Sequence, residues 1–279
     1  MEGIGESFEF VCVNDGSQDA TLDVLLSFAK NDSRVRVIDF SRNFGKEAAL
    51  TAAIDYAVGD AVIPIDVDLQ DPPELISQMI QKWREGYEVV LAKRIDRSSD
   101  SFMKRSTARL FYCFHNKISR PMIPENVGDF RLMDRCVVDV LKTLREHNRF
   151  MKGVFSWVGF KTCTVEYTRR SRTAGESKFN AWRLWNFALE GITSFSTFPL
   201  TIWLYVGGFT SICAFCYGAF IFFRTLIQGI ELPGYASTIC LILFFGGLQF
   251  LGIGILGEYI GRTYIESKRR PVYVVRKVY

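Results

Sequence analysis

The sequence predicts an α/β chain: a mostly parallel, Rossmann-like sheet domain, then an interfacial helix, then a two-helix transmembrane hairpin. Three observations predict it. Through residue 94, short apolar runs alternate with stretches of helical periodicity. Polar residues gather where those apolar runs end, as in "PIDVDLQDPPEL" (64–75). Two long stretches near the C-terminus carry no charge at all.

The elements follow in order. "FEFVCV" (8–13) is short, apolar and bounded by "NDGS", which marks a strand and a turn. "SQDATLDVLLSFAK" has helical spacing behind a Ser/Asp cap. "VRVIDF" (35–40) is a second strand and "KEAALTAAIDYAV" (46–58) a second helix, ended by Gly59. "AVIPID" (61–66) reads as a third strand, "PELISQMIQKWREG" (73–86) as a third helix and "YEVVLAKR" (87–94) as a fourth strand. Strands and helices alternating at this spacing predict parallel strands with covering helices. Ligands in such sheets bind beyond the carboxyl ends of the strands. Asn14, Asp15, Asp39, Asp66, Asp68 and Arg94 all fall at or just past those ends.

Beyond residue 95 the pattern loosens. "KRSTARLFYCFHNKIS" reads as a helix with an apolar side, and "GDFRLMDRCVVDVL" as a strand-like turn leading into a helix. "GFKTCTVEYTRR" is a strand, expected antiparallel, and "SRTAGESKFN" a basic, Gly-bearing loop. "AWRLWNFALEGI" (181–192) sets Trp182, Trp185 and Leu189 on one side beside a basic residue, the pattern of an interfacial helix.

From Gly191 to Phe223 no residue is charged, and Pro199 divides the run. Leu200–Phe223 would extend about 36 Å as a helix, against a hydrocarbon core of about 30 Å. Leu232–Gly257 is a second uncharged stretch rich in Leu, Ile, Phe and Gly. Lys178 and Arg183 precede the first span, while Arg262, Lys268, Arg269 and Arg270 follow the second. The loop between offers only Arg224 and Glu231. The positive-inside rule therefore places the N-terminal domain and the C-terminal tail in the cytoplasm. Gly207, Gly208, Gly246, Gly247, Gly252, Gly254 and Gly257 permit close helix contact, within the hairpin or between subunits of a homo-oligomer.

Composition excludes other classes. The net charge is +4, from 34 Lys+Arg against 30 Asp+Glu, too mild a balance to argue for nucleic acid. Cys12, Cys113, Cys136, Cys163, Cys213, Cys216 and Cys240 show no zinc-type spacing and read as small buried hydrophobes in a reducing compartment. His115 and His147 are the only histidines, which argues against histidine-based catalysis or metal binding. Two apolar helices without buried charge make a poor ion pathway.

Asp66, Asp68 and Asp71 repel one another unless something positive lies between them. Hard oxygen ligands in that number suit Mg²⁺ or Mn²⁺ shared with substrate phosphates. On this reading Asp68 and Gln70 hold the metal, Asp66 supports it or positions the sugar or nucleoside, and Asp71 caps the following helix.

"VNDGSQDAT", "SRNFGKEAALTAAIDYAVGDAVIPIDVDLQDPPE", "VGDFRLMDR", "RTAGESKFN" and "GEYIGRTYIESKRRP" together resemble family 2 glycosyltransferases that charge polyprenyl phosphate. The subgroup they resemble is that of the bactoprenol glucosyltransferases, related to dolichyl-phosphate mannose synthase. The resemblance covers essentially the whole chain. It implies a GT-A fold, a nucleotide-sugar donor, a divalent metal and an inverting transfer. By the same resemblance Asp15 contacts the donor's nucleoside, and Arg42 and Gly45 of "RNFGK" pass close to the donor. Asp66, Asp68 and Gln70 match the metal motif, and Asp129 and Arg131 lie near the anomeric carbon and the phosphate. Arg94 holds the acceptor phosphate, and Arg172, Ser177 and Lys178 bind phosphate from the basic loop. UDP-glucose and undecaprenyl phosphate are the implied substrates, with mannose, galactose, N-acetylglucosamine or an aminoarabinose derivative as alternative sugars. A flippase and a second transferase are the implied pathway partners, and a bacterial cytoplasmic membrane the implied location.

The resemblance divides the chain into a catalytic domain (1–178), a juxtamembrane amphipathic helix (179–193), two membrane helices within 194–261 (about 200–223 and 234–257) and a basic cytoplasmic tail (262–279). One departure stands out. The family's opening strand and Pro-x-Tyr-Asn-Glu-type turn are absent from "MEGIGESFEF". The expectation is weaker donor binding and stability than in a longer form, with a non-catalytic membrane partner as the alternative.

Overall fold

The computed structural model describes residues 5–68, 70–95, 124, 126–144, 146–147, 149–168, 196–228 and 234–279. The expected helix over "KRSTARLFYCFHNKIS", the basic loop with Arg172, Ser177 and Lys178, and the interfacial helix at 181–192 lie outside the described residues.

The N-terminal unit alternates as the periodicity predicts. Strand β1 (Phe10–Asn14) leads to α1 (Thr21–Asn31), β2 (Val35–Phe40) to α2 (Lys46–Tyr56), and β3 (Ala61–Val62) to α3 (Ile76–Arg84). Then come β4 (Val89–Arg94), β5 (Val127–Asp134), α4 (Arg135–Thr143), α5 (Met151–Trp157) and β6 (Thr162–Tyr167). Asp134 caps α4, accepting from the Cys136 N–H at 2.9 Å, so "GDFRLMDR" is strand and helix start in one.

The α/β class holds, but the strands form two mixed sheets, ordered β1-β2-β7 and β3-β5-β4-β6. Among the described residues, only β1/β2 and β4/β6 pair in parallel. The expected antiparallel β6 runs parallel to β4, from Val89 opposite Thr162 to Arg94 opposite Tyr167. Helices α4 and α5 lie between β5 and β6 in the chain, and such a crossover lets β6 pair with β4 in parallel. The third strand is also shorter than its apolar run. Its ladder ends at Val62, because Pro64 has no N–H to donate and restricts Ile63 before it.

Each sheet buries its own core. Leu75, Ile76 and Met79 at the start of α3 pack on Val90, Ala92, Phe130, Leu132 and Val165. Ile38 and Phe40 of β2 pack on Ala48 and Ala52 of α2. Phe40 also stacks on Tyr273, ring centroids 5.1 Å apart.

Residues 195–268 form a second compact unit, and residues 269–279 belong with the first. The expected tail therefore needs correction at both ends. Helix α7 (Tyr235–Ser267) continues through Arg262, and Val275–Val278 forms β7, antiparallel to β2. Tyr279 and Val37 exchange backbone hydrogen bonds of 2.8 and 3.1 Å. A hydrophobic edge strand is thereby covered.

In the second unit, α6 (Phe198–Gln228) and α7 are longer than their uncharged cores. Pro199 sits in the first turn of α6, where its missing N–H costs nothing, so it starts this helix and does not split it. Tyr259 Oη donates to the Ser196 carbonyl at 2.6 Å, and Trp203 packs on Gly252. Seven residues forward on one helix match seven back on the other, which is antiparallel pairing. Spans Phe198–Ile221 and Phe244–Ser267 have mean hydropathies of 1.6 and 1.3. Leu204, Phe215 and Phe250 are 72%, 81% and 76% exposed, so these are not core helices of a water-soluble fold. They mark the protein as membrane-associated. Among the described residues, Gly252 is the one expected glycine contact that another side chain fills. Among the described cysteines, Cys136, Cys213 and Cys216 are exposed, contrary to the buried reading, and none is paired.

Candidate active site

The site grows from the ends of β1 and β2. Asn14 Nδ2 donates to Asp39 Oδ1 at 2.7 Å, with both side chains buried. The "NDGS" turn then locks onto "RNFG". Asp15 Oδ1 accepts from Phe44 N–H at 2.7 Å and Oδ2 from Gly45 N–H at 2.9 Å. Asn43 Nδ2 donates to the Asp15 carbonyl at 3.0 Å. Gly16, at φ +66°, lies so near this loop that a Cβ would sit 2.5 Å from Asn43 N. Asp15 thus holds the loop, and each of its oxygens retains a second lone pair. Arg42 lies over the Phe44 ring, 4.0 Å from its centroid.

Gly45, at φ +96°, turns the chain into α2 and leaves open space around its backbone. The first helical residue is Lys46. Its ammonium contacts Asp66 Oδ2 at 2.7 Å and Asp129 Oδ2 at 2.9 Å. The cation lying between carboxylates here is a residue of this chain, and it joins Asp66 to Asp129. Asp129 reaches it because β5 is irregular here. Four residue steps from Val127 to Arg131 face two from Lys93 to Leu91 on β4. Such bulges re-aim side chains beside functional sites.

Electrostatics follow from this contact. Burial alone would raise the Asp129 carboxyl, but Lys46, Lys152 and Arg131 hold it below the ordinary carboxylate range. Burial alone would lower Lys46, but Asp129 and Asp66 more than offset it and keep the ammonium charged. Glu47, the next residue, is pushed up to about 7 by burial and by Asp129. Its Oε2 accepts from the Met151 N–H at 3.3 Å.

Arg131 is 4% exposed. Its guanidinium lies 4.1 Å from the Phe155 ring centroid, Nη2 donates to the Gly128 carbonyl at 2.7 Å, and buried Nε has no partner among the described residues. Burial, partly offset by Asp129, lowers it to about 10. Arg131 thus braces the irregular Gly128–Asp129 stretch of β5. Asp68 Oδ1 accepts from Gln70 N–H at 3.2 Å, which folds the "DLQ" turn on itself. Asp71 is buried and accepts from Tyr167 Oη at 2.5 Å, tying this turn to β6. Arg94 ends β4, and its N–H donates to Asn126 O at 3.0 Å.

Residues 4–141 match the family described as "Glycosyl transferase family 2". A "Prophage bactoprenol glucosyl transferase homolog" of Escherichia coli (strain K12) is 58% identical over 270 residues, 97% of this chain and 88% of that protein. The chain belongs to glycosyltransferase family 2. This family-2 glycosyltransferase is also 59% identical to "Bactoprenol glucosyl transferase" of Shigella phage SfV over 268 residues, 96% of this chain and 87% of the relative. It is 46% identical to "Uncharacterized glycosyltransferase YkcC" of Bacillus subtilis (strain 168) over 279 residues, 100% of this chain and 86% of the relative.

Family-2 enzymes typically use a divalent metal ion. Among the described residues no three His, Cys, Asp or Glu side chains converge on one point. Asp66, Asp68 and Gln70 nevertheless offer only hard oxygen donors in one short turn, which fits an ion completed by substrate phosphates. Lys46 and Glu47 are the residues that sequence reasoning missed. Lys46 closes "RNFGK", read as a backbone stretch near the donor or a plain helix entry, and Glu47 was read only as part of the helix; neither side chain was singled out.

Proposed function

We propose that this glycosyltransferase moves glucose from UDP-glucose to undecaprenyl phosphate with inversion at the anomeric carbon. The ionised Asp129, paired with Asp66 through Lys46 at the carboxyl edge of the sheets, is the observation that carries this reading. The names of the bactoprenol relatives support the acceptor and the sugar.

The chemistry suits these residue types. A phosphate oxygen of the acceptor attacks the anomeric carbon, the bond from that carbon to the diphosphate oxygen breaks, and UDP leaves with the electron pair. The acceptor is a phosphate monoester with a second pKa of about 6, so it is already anionic near pH 7. A strong base is unnecessary, and Asp129 orients the attack or takes a residual proton. Asp66, Asp68 and Gln70 would hold Mg²⁺ or Mn²⁺, which neutralises charge developing on the leaving diphosphate. Asp15, Arg42 and Gly45 line the donor's nucleoside side. Arg94, Arg172, Ser177 and Lys178 receive the acceptor phosphate, and Arg131 supports Asp129.

The apolar helices hold the site at the surface where the acceptor's phosphate lies, which raises its local concentration. Both ends of the hairpin join one unit, which suits a cytoplasmic catalytic domain on a bacterial inner membrane. A flippase and a second transferase would consume the product.

The test supplies sugar-labelled UDP-glucose, undecaprenyl phosphate and Mn²⁺ or Mg²⁺ to membranes containing this chain. Label should move into extractable lipid and be lost with EDTA and with Asp68→Ala. Transfer from other nucleotide sugars but not UDP-glucose would replace the sugar. Binding of nucleotide without turnover of any would favour a non-catalytic partner.

A further inference from the structure

We propose that Lys46 is a donor-binding residue, whose ammonium takes an anionic oxygen of the donor's diphosphate while holding Asp66 and Asp129. This deepens the function proposed above and rests on it. An ammonium has three N–H donors and no acceptor. Asp66 at 2.7 Å and Asp129 at 2.9 Å occupy two of them. The side chain is still 55% exposed, and neither carboxylate uses the third N–H.

The position of that N–H matters. Asp66 belongs to the turn that would hold the diphosphate with its metal, and Asp129 to the irregular stretch of β5 that would lie beside the anomeric carbon. A group within hydrogen-bonding reach of both lies between the phosphates and the reacting carbon. That is where negative charge grows as the sugar departs. Charge balance points the same way. Asp66 and Asp129 meet at this ammonium, and Asp68 follows Asp66 by two residues. Without Lys46 they would repel an incoming diphosphate as well as each other.

The backbone is built to deliver this residue. Asp15 fixes Phe44 and Gly45 immediately before it, and the left-handed Gly45 aims the first turn of α2. Glu47 is anchored on the other side by Met151 N–H. Lys46 is thus held from both neighbours while its own end stays accessible.

The experiment compares UDP and uridine binding to full-length wild type, Lys46→Met and Lys46→Arg in detergent. Calorimetry reads UDP, ligand-observed NMR reads uridine, and the transfer assay gives kcat and KM. A charge-assisted hydrogen bond lost from the diphosphate should weaken UDP about tenfold to a hundredfold. Uridine, which has no phosphate, should bind all three forms alike. Lys46→Arg should restore part of the UDP affinity, because it keeps the charge. Equal losses for uridine and UDP would show a purely structural role and overturn the proposal. Unchanged UDP affinity in Lys46→Met would overturn it too. A wild type that transfers sugar but shows either result refutes this inference alone; a wild type that binds no UDP refutes the donor reading itself.

Discussion

Replacing Gly16 by alanine should damage the donor site more than its position on the surface suggests. Gly16 adopts φ +66°, and an added Cβ would lie 2.5 Å from Asn43 N and 2.6 Å from Arg42 C. Both are backbone atoms, so no side chain can swing away. The left-handed conformation costs an L-residue about 1–2 kcal/mol. Forcing the loop aside adds about 1–3 kcal/mol, the usual range for overpacking. Gly86 supplies the control, since it has φ +90° and nothing within 4 Å of an added Cβ. Gly86→Ala should therefore pay only the conformational part. For a unit of this size each kcal/mol shifts Tm by about 2–4 °C. Thermal unfolding of the full chain in detergent should place Gly16→Ala roughly 2–12 °C below Gly86→Ala. UDP affinity should fall in Gly16→Ala alone, because the displaced loop carries Phe44, Gly45 and Lys46. Equal melting temperatures with wild-type UDP affinity in both variants would refute the close approach of the two loops.

Two further outcomes follow from the same structure. Glu47 is raised from 4.5 to about 7, so its neutral form is favoured by the fold. The stability it contributes is present below pH 4.5 and is lost as pH rises through 7. The shift corresponds to about 3 kcal/mol, and Glu47→Gln, neutral at every pH, should gain stability over wild type at pH 8 but not at pH 4.5. Matched pH profiles of Tm would contradict it. Tyr273 Oη donates to Asp55 Oδ2 at 2.8 Å. Tyr273→Phe should cost about 1 kcal/mol in thermal unfolding and leave UDP affinity unchanged, which would mark the C-terminal segment as structural.

Much of the molecule was legible because it depends on neighbours in the chain. Helix α2 starts at Lys46 after Gly45, β5 passes into α4 at the Asp134 cap, and the two apolar helices announce themselves by composition. The acidic turn drew the reading of a site because polar residues ending an apolar strand have few structural uses. The partner of its charge was not legible. Lys46 and Asp129 are far apart in sequence, and nothing local marks their meeting. Arg131 read as a phosphate contact, yet it is buried on Phe155, because only the β5 bulge decides which of Asp129 and Arg131 faces out.

The sequence by itself determined the α/β alternation, the two membrane-length helices, the family and the acidic turn, since periodicity, capping and hydropathy act over a few residues. The tertiary structure decided how the strands divide into two mixed sheets, that the C-terminal residues close the edge of β2, and that an ammonium joins Asp66 to Asp129. Those outcomes rest on strand register and on charge pairing across long loops, where many partners satisfy the same local pattern and only global packing selects one.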